Sequence, residues 1–195
     1  MTIDRSRIPM LYPVPTQLEV VPGFSVGTQV TMVLKESFDN FSIRDLDDQP
    51  VLNVKSRFGL ARRKGSSLFG SDFVDNYGNT VFSLKGKKYT FTGLDSNQRE
   101  VLSVHSPVVS ADTKLDATLI NTLTHSHETV TITGKWPGDI VEIFWQGHLI
   151  ALIMRQLTKR DILGQNTYIV TVAPNVDLCI MVALCVCVDE RREAT

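Results

Sequence analysis

The chain has 195 residues, of which 43% are hydrophobic and 21% charged, and its formal net charge is −1. That length and balance predict one soluble globular domain with a sizeable core. They exclude a disordered, highly charged chain, and they exclude nucleic-acid or lipid binding driven by overall charge, so any such binding must rest on a local patch.

The opening residues Met1-Thr-Ile-Asp-Arg-Ser-Arg carry charges with no apolar stretch behind them, and no secretory leader is expected. Residues 1–22 hold Pro9, Pro13, Pro15 and Pro22. Proline fixes φ and removes an amide donor, so this stretch reads as an extended arm, with Leu11, Tyr12 and Val14 suited to lie against the body. A single domain is expected over 23–195. Val26 to Leu34 alternates in part, Val30, Met32 and Leu34 against Thr31 and Val33, and predicts the first strand.

A repeat follows. Phe41-Ser-Ile-Arg-Asp45 leads through Leu-Asp-Asp-Gln-Pro to Val51-Leu52-Asn-Val54. Asp75 leads through Asn-Tyr-Gly-Asn-Thr to Val81-Phe82-Ser-Leu84, and Phe91-Thr-Gly-Leu-Asp95 through Ser-Asn-Gln-Arg-Glu to Val101-Leu102-Ser-Val104. Each copy has an Asp, a polar turn, then an apolar–apolar–polar–apolar strand. Asp and Asn side chains bond nearby backbone in turns, so three β-hairpins in series are predicted, a meander able to curl into a barrel. Gly78 supplies a positive φ in the middle copy. Arg57 to Gly70 is basic, then rich in glycine and serine, and reads as a strand end and a loop. Lys85-Gly-Lys87-Lys88 reads as a short basic turn feeding Tyr89-Thr-Phe91.

Ser106 to Glu128 has the weakest pattern. Val108-Val109 and Leu115 to Ile120 read as a strand or a short helix, and His125-Ser-His127-Glu128 as an exposed turn. Strands are predicted at Thr129–Thr133, Ile140–Trp145 and Leu149–Met154, with a tight Gln146-Gly147 turn between the last two. Arg155 to Gln165 reads as a polar connection and Tyr168–Ala173 as the final strand. The count is eleven or twelve strands, with no βα alternation that would imply a parallel sheet.

The chain closes on an apolar run. From Leu178 to Val188 no side chain is polar, and all three cysteines lie within it. A surface helix keeps a polar face, and this run has none, so it must be surrounded. As a helix it rises only about 16 Å, short of the ~30 Å hydrocarbon core, so protein rather than lipid is the expected wrapping. Pro174 and Asn175 stop the preceding strand, Asp177 suits a helix start, and Arg191 and Arg192 suit a helix end. A helix near 176–190 is the favoured reading. Its β-branched residues Ile180, Val182, Val186 and Val188 keep a buried strand as the rival. The odd number of buried cysteines points to a reducing compartment.

At the C-terminal end, Tyr168-Ile-Val-Thr-Val172, Pro174, Val176-Asp177, Ile180-Met-Val-Ala183-Leu184 and Val188-Asp189-Glu190 resemble the closing signature of the LURP-one-related proteins. The hairpins at Asp45, Asp75 and Asp95, Gly134 after its strand, and Ile150-Ala151 followed by Arg155 are similar to that family as well. The resemblance runs from about Phe24 to Arg192. It implies a tubby-like fold, mainly β: a closed antiparallel barrel of about twelve strands enclosing the hydrophobic C-terminal helix. That fold is shared with tubby proteins and phospholipid scramblases. The turn Asp47-Asp-Gln-Pro50 lacks the glycine the family places there, which leaves its type open.

No nucleophile elbow, phosphate loop, zinc-protease helix or paired metal-ligand spacing is present, so no catalytic, cofactor or metal residues are assigned and no cofactor is expected. His125-x-His127-Glu128 offers too few ligands for zinc. Asp45-x-Asp47-Asp48 lacks the glycine and distal Glu of a calcium loop. On a helix, Cys185 and Cys187 point about 200° apart and read as apolar fillers. His105 and His148 carry no pattern. The candidate ligand-binding residues are the basic ones: Arg57, Arg62, Arg63 and Lys64 in one segment, Lys85, Lys87 and Lys88 in another. If the first two hairpins stand side by side, the two segments converge at one end and attract an anionic headgroup.

The expectation is therefore a non-enzymatic regulatory or adaptor module. It would sit in the cytoplasm, at a membrane surface or in the nucleus, and touch anionic phospholipid such as phosphoinositide, or a protein partner. No transmembrane span and no nucleic-acid partner are expected. The rivals are a scramblase-like lipid-translocating protein, which needs the closing run to span a bilayer, and an enzyme with a site built from scattered loops.

Overall fold

A computed structural model describes residues 6, 8–37, 40–56, 68–87, 90–105, 112–135, 140–156 and 166–193, except the side chains of 68, 69, 87, 112, 113, 135, 192 and 193. After β1 (Val30–Ser37), the three repeats fold as three copies of one hairpin: β2 (Asn40–Asp45) with β3 (Pro50–Ser56), β4 (Leu68–Val74) with β5 (Thr80–Lys87), and β6 (Thr90–Asp95) with β7 (Glu100–His105). The aspartate organises each turn. Oδ1 of Asp45 accepts from the amides of Asp47 and Gln49 at 2.9 and 2.8 Å. Oδ1 of Asp75 accepts from Tyr77 and Asn79 at the same distances, and Oδ1 of Asp95 from Asn97 and Arg99 at 2.8 and 2.9 Å. The third residue after each aspartate takes a positive φ, 61° at Asp48, 91° at Gly78 and 62° at Gln98. The missing glycine therefore does not change the turn. Asp48 adopts the left-handed conformation itself, and all three turns are the type I plus bulge kind.

The remaining strands are β8 (Asp112–Ile120), β9 (His127–Lys135), β10 (Ile140–Trp145), β11 (His148–Gln156) and β12 (Thr167–Val172). Gln146 and Gly147 both have positive φ, 49° and 81°, so the tight turn expected there is of type I′. Each strand pairs antiparallel with its chain neighbours, and β12 returns to β1 through Met32↔Val170 and Leu34↔Tyr168, closing a twelve-stranded barrel. Closure leaves no unpaired sheet edge. It also decides between helix and strand for the apolar run: a wall already closed has no place for another strand. Leu178–Glu193 is the helix α1, and from Cys179 to Val188 no residue exceeds 1% exposure.

Because the strands run up and down in order, the connections alternate between two rims. The aspartate turns lie on the rim where α1 enters, the entry rim. The β3–β4, β5–β6 and β7–β8 connections leave from the other, the exit rim, towards which α1 runs. At entry, Asp177 caps the helix, its Oδ1 accepting the Ile180 amide at 3.0 Å. The proline-containing arm packs there too: Leu11, Val14, Leu18, Val20 and Val21 are buried in the common core, while Tyr12 stays exposed.

Two local expectations are corrected. Lys85-Gly86-Lys87 is not a turn but the end of β5, in register with Gly70, Phe69 and Leu68 on one side and Thr92, Phe91 and Thr90 on the other. Pairing on both sides outweighs a turn-like composition. His127 and Glu128 are not in the turn but open β9, and Glu128 is half-buried, accepting from Trp145 Nε1 at 2.9 Å and Ser126 Oγ at 2.7 Å.

Candidate functional site: the exit rim

The repeat does more than build turns. One residue beyond each apolar–apolar–polar–apolar motif stands Lys55, Lys85 or His105. All three are exposed, each within two residues of the exit end of its strand, on the alternate strands β3, β5 and β7. Neighbouring strands lie about 4.8 Å apart, so these groups recur about every 10 Å around the rim. Lys35, exposed two residues before the end of β1, extends the arc. Among the described residues, Lys35, Lys55 and Lys85 make no ion pair, and His105 Nε2 lies 3.1 Å from Ser103 Oγ. Sequence reasoning missed Lys35, Lys55 and His105. The signal was in hand, since carrying the repeat one residue further aligns Lys55, Lys85 and His105.

Of the residues singled out from sequence, Lys85 lies on this arc. The backbone of Lys87 ends β5 at the same rim. Arg57, Arg62, Arg63, Lys64 and Lys88 lie outside the described residues. The hairpins β2–β3 and β4–β5 do stand side by side, joined by β3–β4 pairing from Asn53↔Val74 to Ser56↔Ser71. The described strand ends next to these positions, Ser56, Leu68, Lys87 and Thr90, stand on the exit rim.

Beneath the rim the barrel is closed by buried polar groups. Asp189, 3% exposed, accepts from the Tyr168 hydroxyl and from Asn166 Nδ2 at 3.1 Å. Asn166 donates its amide to Glu36 at 2.9 Å and accepts from Arg155 Nη2 at 2.6 Å. Arg155, expected in a polar connection, is on β11 and part of this seal. Strand alternation brings these groups inward at the level where α1 leaves its apolar surroundings.

The other constellations are separate from this arc of exposed cations. The Asp45, Asp47 and Asp48 oxygens sit in a hairpin turn on the entry rim. Hydrogen bonds from Ser126, Trp145 and Gln146 hold the Glu128 carboxyl below the usual range. Burial pushes the thiols of Cys179 and Cys187 far up, so both stay protonated. Among the described residues no three His, Cys, Asp or Glu side chains form a group able to hold a metal, and no helix is long and apolar enough to cross a membrane.

With this geometry in place, similarity adds the lineage. A family model described as LURP-one-related matches residues 28–189. The X-ray structure of a protein from Arabidopsis thaliana is similar, with a TM-score of 0.65 at 20% identity, covering 88% of this chain and 97% of that one. No curated protein sequence matches the chain. At such low identity the structural likeness speaks for the shared fold alone.

Proposed function

The chain belongs to the LURP-one-related family, and from that premise we propose that it is a non-enzymatic adaptor whose exit rim engages anionic phospholipid headgroups, phosphoinositides above all. The supporting observation is the recurrence of Lys55, Lys85 and His105 on one rim. Each cation near an anionic surface contributes about 1 kcal/mol, so an arc of several gives useful affinity that salt weakens. A binding role is favoured over catalysis because the barrel interior is filled by α1. A scramblase-like role is disfavoured because the apolar run is committed to that interior. In this reading the protein sits at the cytoplasmic face of a membrane, where anionic lipid is found.

Flotation with phosphatidylcholine vesicles, with and without phosphatidylinositol bisphosphate, tests this. The wild type should float only with the anionic lipid and progressively less as salt rises. Lys55→Glu/Lys85→Glu should remain at the bottom. A wild type that never floats, or a charge-reversed variant that floats equally well, refutes the proposal.

A further inference from the structure

The segment 17–26 grips the helix entry from both sides. Leu18 donates its amide to the Asn175 carbonyl at 2.9 Å, while the Asn175 and Leu178 amides donate to Val26 and Phe24 at 2.7 and 2.9 Å. Between these backbone bonds sits Asp177, 0% exposed, whose Oδ2 accepts from both Val20 and Val21 amides at 2.8 and 2.7 Å. The same segment is pinned laterally to the β8–β9 turn. Asn121 Nδ2 donates to the Gln17 carbonyl at 2.9 Å, and the Thr122 amide to the Glu19 carbonyl at 2.7 Å. Exposed Gly27 and Thr28 separate it from β1.

We propose that residues 17–26 are a strap that opens without unfolding the barrel, with Asp177 as its latch and proton uptake on that carboxyl tightening the hold. Opening lifts Leu18, Val20 and Val21 away from Val176 and Leu178 and bares the apolar end of the core. It also transfers Asp177 to water. The ionised carboxylate gains most from that transfer, because in the closed strap its acceptors meet backbone amides and, among the described residues, no cation. Oδ2 spends both lone pairs on Val20 and Val21, whereas Oδ1 spends one on Ile180, so a proton can sit on Oδ1 without breaking any of the three bonds.

Burial is the largest influence on Asp177. With the nearby Glu19 carboxylate it pushes the acid from 3.8 up to about 6, against the three amides that pull it down. The sign follows. The closed state binds the proton more tightly than the open one. Closure therefore gains as pH falls through about 6, is fully reinforced below 3.8, and loses that gain as pH rises through 6. Glu19 on the strap is the charged group acting on Asp177, and Cys179 on the helix remains a neutral thiol. On the same rim His125 stands in the β8–β9 turn and His148 opens β11.

Amide hydrogen exchange on the full chain, corrected for intrinsic rates, decides the matter. Protection at residues 18–26 should be about tenfold higher at pH 5 than at pH 7.5, and lower than that of β12 at both. Asp177→Asn should abolish the pH dependence, and Glu19→Gln, which spares the cap, should reduce it. His125→Gln/His148→Gln should leave it intact. The proposal is overturned if strap and barrel exchange together, if the wild-type ratio is unity, or if it survives Asp177→Asn. If Asp177→Asn does not fold, Glu19→Gln decides: an unchanged ratio there also overturns it, as does loss of the ratio in the histidine variant.

Discussion

Gly93→Ala is expected to destabilise the barrel through one identifiable collision. Gly93 lies on β6 between Leu84 of β5 and Leu102 of β7. A Cβ built there would stand 2.3 Å from Phe82 Cζ, 2.8 Å from Phe82 Cε2 and 2.8 Å from Leu102 Cβ. Carbon atoms prefer about 3.5–4.0 Å, and Leu102 Cβ moves only with its backbone. The Phe82 ring is fully buried and wedged edge-on against Phe73, centroids 5.1 Å apart at 84°. Such overpacking costs about 1–3 kcal/mol, offset by roughly 0.5–1 kcal/mol because alanine restrains the unfolded chain. The net loss of about 1–2 kcal/mol should lower the urea midpoint by about 0.5–1 M, for an m-value near 2 kcal/mol/M. Phe82→Leu removes the two colliding ring carbons. In that background Gly93→Ala should cost about 1 kcal/mol less than in the wild type. An unchanged midpoint for the single variant, or strictly additive losses in the pair, would refute the reasoning.

The turn geometry makes a paired prediction for urea unfolding: Asp48→Gly should stabilise and Gly78→Ala destabilise, each by about 1 kcal/mol, because both positions hold a left-handed backbone. Tyr168→Phe should lower stability by about 1–3 kcal/mol, since it removes a donor from the buried Asp189 carboxylate; calorimetry measures it. Glu128, held below the usual carboxylate range by its hydrogen bonds, contributes stability that is full above that range and lost as pH falls through its depressed value. Glu128→Gln should flatten that part of the stability profile in urea titrations between pH 3 and 7. Lys55→Glu/Lys85→Glu should melt with the wild type, since both side chains are exposed and unpaired among the described residues; a lowered melting temperature would mean the arc is structural.

Much of the architecture could be read from the residues because the signals were local. An aspartate bonding amides two and four residues on is a short-range device, and it shows in Asp45, Asp75 and Asp95 alike. An apolar run with no polar face has few places to go, and Leu178–Val188 declared its burial without any partner in view. What escaped was non-local. The clasp of Val20 and Val21 on Asp177 spans 157 and 156 positions and uses backbone amides, which no side-chain pattern records. Lys85–Lys87 looked like a turn because the pairing that extends β5 comes from β4 and β6. Lys55 and His105 are different: their alignment with Lys85 was visible, but strand ends acquire meaning only when topology gathers them on one rim.

The polar ends of α1 carry a consequence for specificity. An apolar rod in an apolar cylinder can rotate or slide at small cost, since one aliphatic contact replaces another. Asp177 and Asp189 bracket the apolar run, and each is buried against donors that only one axial and rotational setting provides: the Val20 and Val21 amides at entry, Tyr168 and Asn166 at exit. A shift by one residue would take both carboxylates away from these donors, at a cost of several kcal/mol. The wall and rod thus supply the bulk of the stability, while the two aspartates select one register. That division concentrates the polar chemistry of the described residues at the two rims, the exposed cations at exit and the Asp177 clasp at entry.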